Sequence, residues 1–385
     1  MTAGKSVSGI GLNVIVYPSN LVGASRVGKV AKSLQASGEF LETRAIGMGF
    51  PGEDLPTEEL LSPGVKIERI PVPKLKSRVG WVLSQLLWHP RVVRHYAKQD
   101  VRVVSAQRAL VLPLVYRLAR RTGAVFAYNA HELETEILGF SGLKQKIFKF
   151  IERRYIKHVD VISVVNESIA DWYVNEYPDI PTPVVLTNTP IDDGNSIDLK
   201  GKLGIPEHEL LYVHVGYISP GRNVPLILDR FIDNARAHVV FLGDGDLRHL
   251  VEDAANSHPN IHWHPMVEPD AVVSYARGAD IGLCLVESSA SLSDELSTPN
   301  KLLESWMAGI PPLSSGLQEA KRLLGAELSA TWVLESPERE LRDALQRITA
   351  ADVAEFKKQW KPVPSWEEQA VDLVEAYRKA IAHKR

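Results

Sequence analysis

The stretch Ile281–Ser315, IGLCLVESSASLSDELSTPNKLLESWMAGIPPLSS, decides the fold. It reads as a buried strand, a polar loop, a helix opened by Thr298-Pro299 and carrying Glu304, and a glycine stop at Gly309. Thr298 suits an N-cap, and Pro299 suits the first helical position, where its missing N–H costs nothing. The free N–H groups of that first turn, with Lys301 beside them, then face whatever lies beyond the strand end, a natural seat for an anion. Glu304 follows about one and a half turns further in, where its carboxylate can accept from sugar hydroxyls. Phosphate at the helix mouth and a diol at the carboxylate together describe a nucleotide.

Outward from this stretch, short apolar runs alternate with amphipathic helical spacing, the pattern of βαβ units and parallel sheets. In the second half, strands are expected at Leu210–Val215, Ala237–Leu242, Ile281–Val286 and Pro312–Leu313. Helices are expected at Val224–Asn234, Leu247–Ser257, Pro269–Arg277, Asn300–Ala308 and Leu317–Leu324. The first half offers strands at Leu12–Tyr17, Val101–Ser105, Val125–Asn129, Val159–Val164 and Val184–Leu186. Its helices fall at Ser25–Ala36, Ala109–Thr122, Leu143–His158 and Ser168–Glu176. At 385 residues the chain is too long for one ordinary core. The composition shift over Asn188–Gly204 marks a linker between a domain of residues 1–190 and one of residues 200–365. The tail from Trp366 is one amphipathic helix.

In open α/β sheets ligands bind beyond the carboxyl ends of the strands, and the polar motifs fall there. Gly216 to Arg222, GYISPGR, follows a strand. Its glycine admits an anion and its arginine offers a forked donor, or the segment is an ordinary βα turn. Gly243-Asp244-Gly245-Asp246 reads as a tight turn and cap, a structural role. His131 ends the strand before it and fits either a structural or a sugar-contacting side chain. Glu304 likewise is either a ligand contact or a helix-surface partner of Lys301.

Composition narrows the class. Hydrophobic residues make up 45% and charged residues 24%, as in a globular protein. The N-terminus leads into a first strand and has no signal-peptide pattern, and no run of ~18 apolar residues occurs. One cysteine, Cys284, excludes an internal disulfide and a cysteine-rich metal site and fits a reducing compartment. No metal site is expected, and a cytoplasmic location is. The net charge of −3 conceals an asymmetry: residues 71–158 carry 17 basic and 5 acidic side chains. That surplus favours an anionic partner or is a well-solvated set of helices. In the segment from Gly142 to His158, Leu143, Ile147, Phe148, Ile151 and Tyr155 form an apolar stripe expected to pack on the sheet. Contact of this basic segment with anionic lipid at the inner face of the plasma membrane is the other reading. No nucleic-acid module is recognisable.

With these residues in view, the chain resembles the GT-B retaining glycosyltransferases of family 4. The fragments that carry the resemblance are YNAHELE, VHVGYISPGRN, VVFLGDGDLRHLVEDA, NIHWHPMVEPDAVVSYARGADIGLCLV and STPNKLLESWMAGIPP, in that order. The resemblance implies two Rossmann-like domains facing across a cleft, with the C-terminal helix crossing back to the first. It implies transfer of a sugar from a UDP- or GDP-linked donor to a hydroxyl without a further cofactor; the basic N-terminal helices and the cytosolic profile make a glycan or lipid-linked acceptor, in cell-surface polysaccharide synthesis, the expected one. By this resemblance Glu304 holds the ribose, Arg222 grips the diphosphate, and His131 touches the transferred sugar. Gly216, Ser297, Pro299, Asn300 and Lys301 would surround the phosphates and donor sugar, and Met266 and Val267 would line the base pocket. The sequence departs from the family pattern at Leu296, where a first glutamate is usual, at Tyr217 in place of an arginine, and at Asn129 in place of an aspartate. Asp294 or Glu295 is the candidate substitute for that glutamate. An epimerase of the same fold, or a degenerate sugar-binding subunit, is the alternative.

Overall fold

The computed structural model describes residues 9–75, 77–137, 142–287 and 291–384. The first residues of the N-terminal segment, three residues of the polar loop before Ser291 and the last residue of the expected C-terminal helix lie outside the described residues. The chain divides into two compact units, Met1–Thr187 with Glu367–Arg385, and Asn188–Trp366.

The first unit is built on strands β1 (Leu12–Val16), β2 (Glu42–Gly49), β3 (Glu58–Ser62), β4 (Val65–Pro71), β5 (Val101–Ala106), β6 (Val125–Asn129), β7 (Val161–Val164) and β8 (Val184–Val185). They form one sheet in the order β3-β4-β2-β1-β5-β6-β7-β8, parallel throughout except for the β3–β4 pair. Val14, Ile15 and Val16 are fully buried, which is why this unbroken apolar run reads as a central parallel strand. Helices α1 (Ser25–Ala36), α2 (Arg78–Tyr96), α3 (Leu112–Thr122), α4 (Gly142–Tyr155) and α5 (Glu167–Glu176) connect the strands. α1 buries Val27, Val30, Ala31 and Leu34, the spacing of a helix with one apolar face. The helix Trp366–Lys384 closes the chain.

Four elements here, β2, β3, β4 and α2, escaped the sequence reading; β2, β4 and α2 bury polar groups, and β3 buries none of its side chains. β4 hides Glu68, which bonds the Tyr96 hydroxyl, and Arg69, which donates to Asn20 O at 2.8 Å and Pro56 O at 2.9 Å. β2 and β3 pair with it on its two sides. α2 turns Ser84 and Gln85 inward and leaves Leu86 and Leu87 exposed. The expected stripe on α4 is also corrected in part. Its one buried side chain is Glu152, while Leu143 is 75% and Ile147 47% exposed. Glu152 accepts from the hydroxyls of Tyr173 at 2.8 Å, Tyr128 at 3.1 Å and Tyr177 at 3.1 Å, and these bonds fix which side of the helix faces the sheet.

The second unit has strands β9 (Leu210–Val215), β10 (Ala237–Leu242), β11 (Ile261–His264), β12 (Ile281–Cys284), β13 (Pro312–Ser315) and β14 (Val333–Leu334). Their order is β11-β10-β9-β12-β13-β14, all parallel. The chain therefore builds outward one way from β9 and then the other way from β12, and a topological switch point lies between them. Trp306, Trp332 and Phe356 pack edge-on in its core, with Phe356 5.5 Å from the Trp306 ring and 6.2 Å from Trp332. The apolar tally missed β11 and β14, the edge strands, and the helices Pro337–Arg347 and Ala350–Gln359. No helix among the described residues is long and apolar enough to cross a membrane.

Candidate active site

β9 ends at Gly216, whose φ of +88° turns the chain out of the sheet at little cost because glycine lacks a Cβ. The following loop is pinned by its neighbour. Ile218 N donates to Asp244 O at 2.9 Å, and Leu247 N donates to Ile218 O at 3.0 Å. A side chain at Gly243 would come within 2.0 Å of Gly216 O, and one at Gly245 within 2.4 Å of Ile218 O. These two glycines are needed for backbone approach, the structural role expected of them. Tyr217 donates from its hydroxyl to Asp246 Oδ1 at 3.2 Å. Gly221 and Glu287 exchange bonds: Glu287 N donates to Gly221 O at 3.1 Å, and Gly221 N to Glu287 Oε1 at 3.3 Å. The loop is thereby tied to the chain leaving β12, which holds Arg222 over the switch point.

The helix Asn300–Met307 supplies the other half. Its start differs from expectation. Pro299 is the N-cap residue itself, with extended backbone (φ −59°, ψ 140°), and Thr298 lies one residue outside. Leu302, Leu303 and Trp306 face the core, and Gly309 at φ +71° ends the helix as read. The helix lies hard against β12: a Cβ on Gly282 would fall 1.9 Å from Ser305 Oγ. Trp306 anchors its far end, donating from Nε1 to Lys361 O at 2.8 Å, while Trp360 Nε1 donates to Trp306 O at 2.8 Å.

Three charged groups meet here. Lys301 Nζ lies 2.8 Å from Nε2 of His214, a fully buried residue of β9. Burial holds His214 neutral, well below its usual pKa, so its ring nitrogen accepts from the ammonium. Burial also brings the Lys301 pKa down to about 8, with Arg222 lowering it and Glu304 opposing. Burial pushes Glu304 up to about 7, against the pull of Lys301. Among the described residues no hydrogen bond or ion pair engages the Arg222 guanidinium or the Glu304 carboxyl group. A guanidinium, an ammonium and a carboxylate therefore converge at the mouth of a parallel sheet with bonding capacity to spare.

The remaining candidates in this unit have more modest surroundings. Ser297 Oγ donates to Asp294 O at 2.8 Å, and Asn300 Oδ1 accepts from Asn188 Nδ2 at 3.3 Å. Met266 is exposed and Val267 half-buried just after β11, whose His264 O accepts from Gly243 N at 3.1 Å. Asp294 is occupied by its own N-cap, accepting from Ser291 Oγ at 2.5 Å. Leu296 is buried, and Glu295 is exposed.

In the first unit the switch point lies between β1 and β5, and His131 sits at the end of neighbouring β6. Its Nε2 is 2.9 Å from Gln107 Oε1, and its ring stacks on Tyr17 with centroids 6.3 Å apart. Burial, helped by Arg26 and Arg108, holds this imidazole neutral. Arg108 pairs with Glu132 and, at 2.8 Å, with Glu134. Asn129 is buried and accepts from Ser163 Oγ at 2.6 Å. Sequence reading missed His214, Gln107 and Arg108, while it placed Glu287 at the end of the strand IGLCLV. A polar residue inside YVHV, and polar residues just past VRVVSA, were the signals for the three.

Two parallel-sheet α/β units of this topology define the GT-B fold. Residues 23–189 match the glycosyl transferase 4-like domain, and residues 213–350 match glycosyl transferases group 1. The chain belongs to the family 4 glycosyltransferases. A similar protein is the alpha-monoglucosyldiacylglycerol synthase of Streptococcus pneumoniae, 26% identical over 189 residues, which are 45% of this chain and 41% of that relative's length. Among solved structures, a sucrose-phosphate synthase from Thermosynechococcus elongatus aligns with TM-score 0.74 and 13% identity, covering 97% of this chain and 100% of the other. Anabaena HepE in complex with UDP and glucose aligns with TM-score 0.64 and 10% identity, over 95% of this chain and 99% of the other.

Proposed function

We propose that this glycosyltransferase moves a sugar, with retention at the anomeric carbon, from a UDP- or GDP-linked donor to a hydroxyl of a glycan or lipid-linked acceptor in cell-surface polysaccharide synthesis. The observation that carries the donor half is the convergence of Arg222, Lys301 and Glu304, the first and last without a bonding partner among the described residues. Support for the nucleotide comes also from the UDP held by the similar Anabaena protein, and support for a lipid acceptor from the name of the streptococcal relative.

Departure of the diphosphate is the difficult step. The C1–O bond to phosphate breaks, a C1–O bond to the acceptor forms on the same face, and the acceptor proton passes to the leaving phosphate oxygen. Arg222 and Lys301, with the amides at the start of the helix Asn300–Met307, would stabilise the charge that develops on the diphosphate. Two cations doing this make a divalent metal unnecessary. Glu304, as carboxylate, would accept from the ribose diol. His131, kept neutral, would hydrogen-bond the transferred sugar and orient it rather than take the acceptor's proton. Met266 and Val267 would flank the base.

Titration of the protein with UDP-glucose and GDP-mannose, followed by product analysis with and without an acceptor lipid, tests this reading. Glycoside formed with the donor's anomeric configuration is the expected result. Epimerised sugar nucleotide without transfer would overturn it, as would failure to bind either nucleotide.

A further inference from the structure

We propose that Gln107 is a positioning residue that fixes the tautomer of His131, with the proton on Nε2, so that Nδ1 is left to accept from a hydroxyl of the transferred sugar. The inference rests on the proposed contact of His131 with that sugar and deepens it. Gln107 follows β5 and is fully buried. Its backbone N donates to Val16 O at 3.1 Å, which ties it to the end of β1. Its side-chain Nε2 donates to the fully buried Ser105 Oγ at 3.2 Å. That bond turns Oε1 toward the imidazole, 2.9 Å from His131 Nε2. An amide oxygen only accepts, so Nε2 of the ring must carry the proton. Burial, helped by Arg26 and Arg108, keeps the ring neutral, and a neutral imidazole has a single proton to place. Nδ1 therefore keeps its lone pair. Among the described residues no other hydrogen bond engages this half-buried ring.

The surroundings hold this arrangement in place. Arg108, next to Gln107, pairs with Glu132, next to His131, and at 2.8 Å with Glu134. Glu134 Oε2 also accepts from Ala109 N at 2.5 Å, so the segment after β5 is stapled to the segment after β6. Tyr17, just past β1, stacks on the imidazole with ring planes 23° apart. The charged groups around the ring are thus Arg26 from α1 and Arg108, with both nearby carboxylates occupied by Arg108. The bonding partner of the imidazole itself is an uncharged amide. A carboxylate there would accept the same bond but favour the imidazolium, which donates from both nitrogens and accepts at neither. The neutral partner keeps an acceptor at the site. It selects a sugar with a free hydroxyl at that place over one with a deoxy or fluorinated carbon.

The test joins nitrogen NMR of the full chain, isotopically labelled at histidine, to donor kinetics. His131→Asn identifies the His131 signals by their loss. In the parent the ring should be neutral and protonated on Nε2 between about pH 6 and 8. Gln107→Glu should turn it into an imidazolium over the same range. Its kcat/KM for the donor should fall by about tenfold or more at the acidic end, and the ratio to the parent should climb as pH rises through the raised imidazole pKa. Affinity for UDP or GDP alone, which lack the sugar, should stay at the parent value. A parent ring protonated on Nδ1, or on both nitrogens, overturns the proposal, and that measurement needs no variant to fold. An imidazolium in Gln107→Glu with parent-like donor kcat/KM overturns it too, through the sugar contact of His131 rather than through the tautomer.

Discussion

Lys301 Nζ rests 2.8 Å from Nε2 of the buried, neutral His214. A lysine so placed keeps its proton less firmly than one in water and gives it a fixed direction. The ammonium is aimed by a strand residue, and its helix is aimed by the contact of Ser305 with Gly282. One short helix thus carries both the cation and, one turn on, the Glu304 carboxylate.

The pH dependence of donor turnover follows from these two groups. Glu304 serves as an acceptor only when deprotonated, and its pKa is raised to about 7 by burial. Lys301 attracts phosphate only when protonated, and its pKa is lowered to about 8. The profile of kcat/KM for donor should therefore rise through about 7 and fall through about 8. Glu304→Gln should remove the acidic limb. An unchanged limb in that variant would assign it to another group.

Arg222→Ala and Glu304→Ala should each lower donor kcat/KM by about two orders of magnitude or more, because each removes a charge-assisted contact to the nucleotide. Among the described residues Arg222 makes no side-chain bond that the fold would lose. Its removal should leave the melting temperature within about a degree of the parent. Steady-state kinetics and a thermal scan on the same preparations check both statements.

Gly282→Ala should damage the site without touching a charge. The added methyl would meet Ser305 Oγ at 1.9 Å, so the helix Asn300–Met307 must move off β12. Overpacking of this kind costs about 1–3 kcal/mol, and the shift carries Lys301 and Glu304 with it. Donor affinity should fall along with stability. Gly282→Ala/Ser305→Gly, which restores the room, should recover both.

Glu152 makes the first unit's stability pH-dependent. Its folded pKa is raised to about 7 by complete burial, above the ordinary value of 4.5. The unfolded chain therefore releases this proton first, and the contribution to stability falls as pH rises from 4.5 through about 7. Thermal scans across that range should show the loss, and Glu152→Gln, neutral at every pH, should flatten it.

Much of the second unit was legible because its strands are unbroken apolar runs and its polar motifs stand at their ends. β9 and β10 fall where LLYVHV and AHVVFL place them. In the first unit β4 stayed hidden because Glu68 and Arg69 are buried with partners that no linear pattern announces. α2 stayed hidden because apolar residues lie on both its sides: Trp88, Val92, Val93 and Tyr96 are buried while Trp81, Val82, Leu86 and Leu87 are exposed. The stripe assigned to α4 holds in part: Phe148, Ile151 and Tyr155 are half-buried, while Leu143 and Ile147 are exposed, since the bonds of Glu152 to three tyrosines from other elements set which side of that helix is inside. At the site, Arg222, Lys301 and Glu304 were readable from position. The buried His214 that aims Lys301 was not, since only the fold brings residues 87 apart into contact.

The most direct test of the donor site is calorimetric titration of UDP and GDP into the parent, Arg222→Ala and Glu304→Ala proteins at about pH 7.5, between the two shifted pKa values. One nucleotide should bind the parent, and both substitutions should weaken it by about tenfold or more with the fold intact. Parent-like affinity in both variants, or no affinity for either nucleotide in the parent, would contradict a diphosphate held by these side chains.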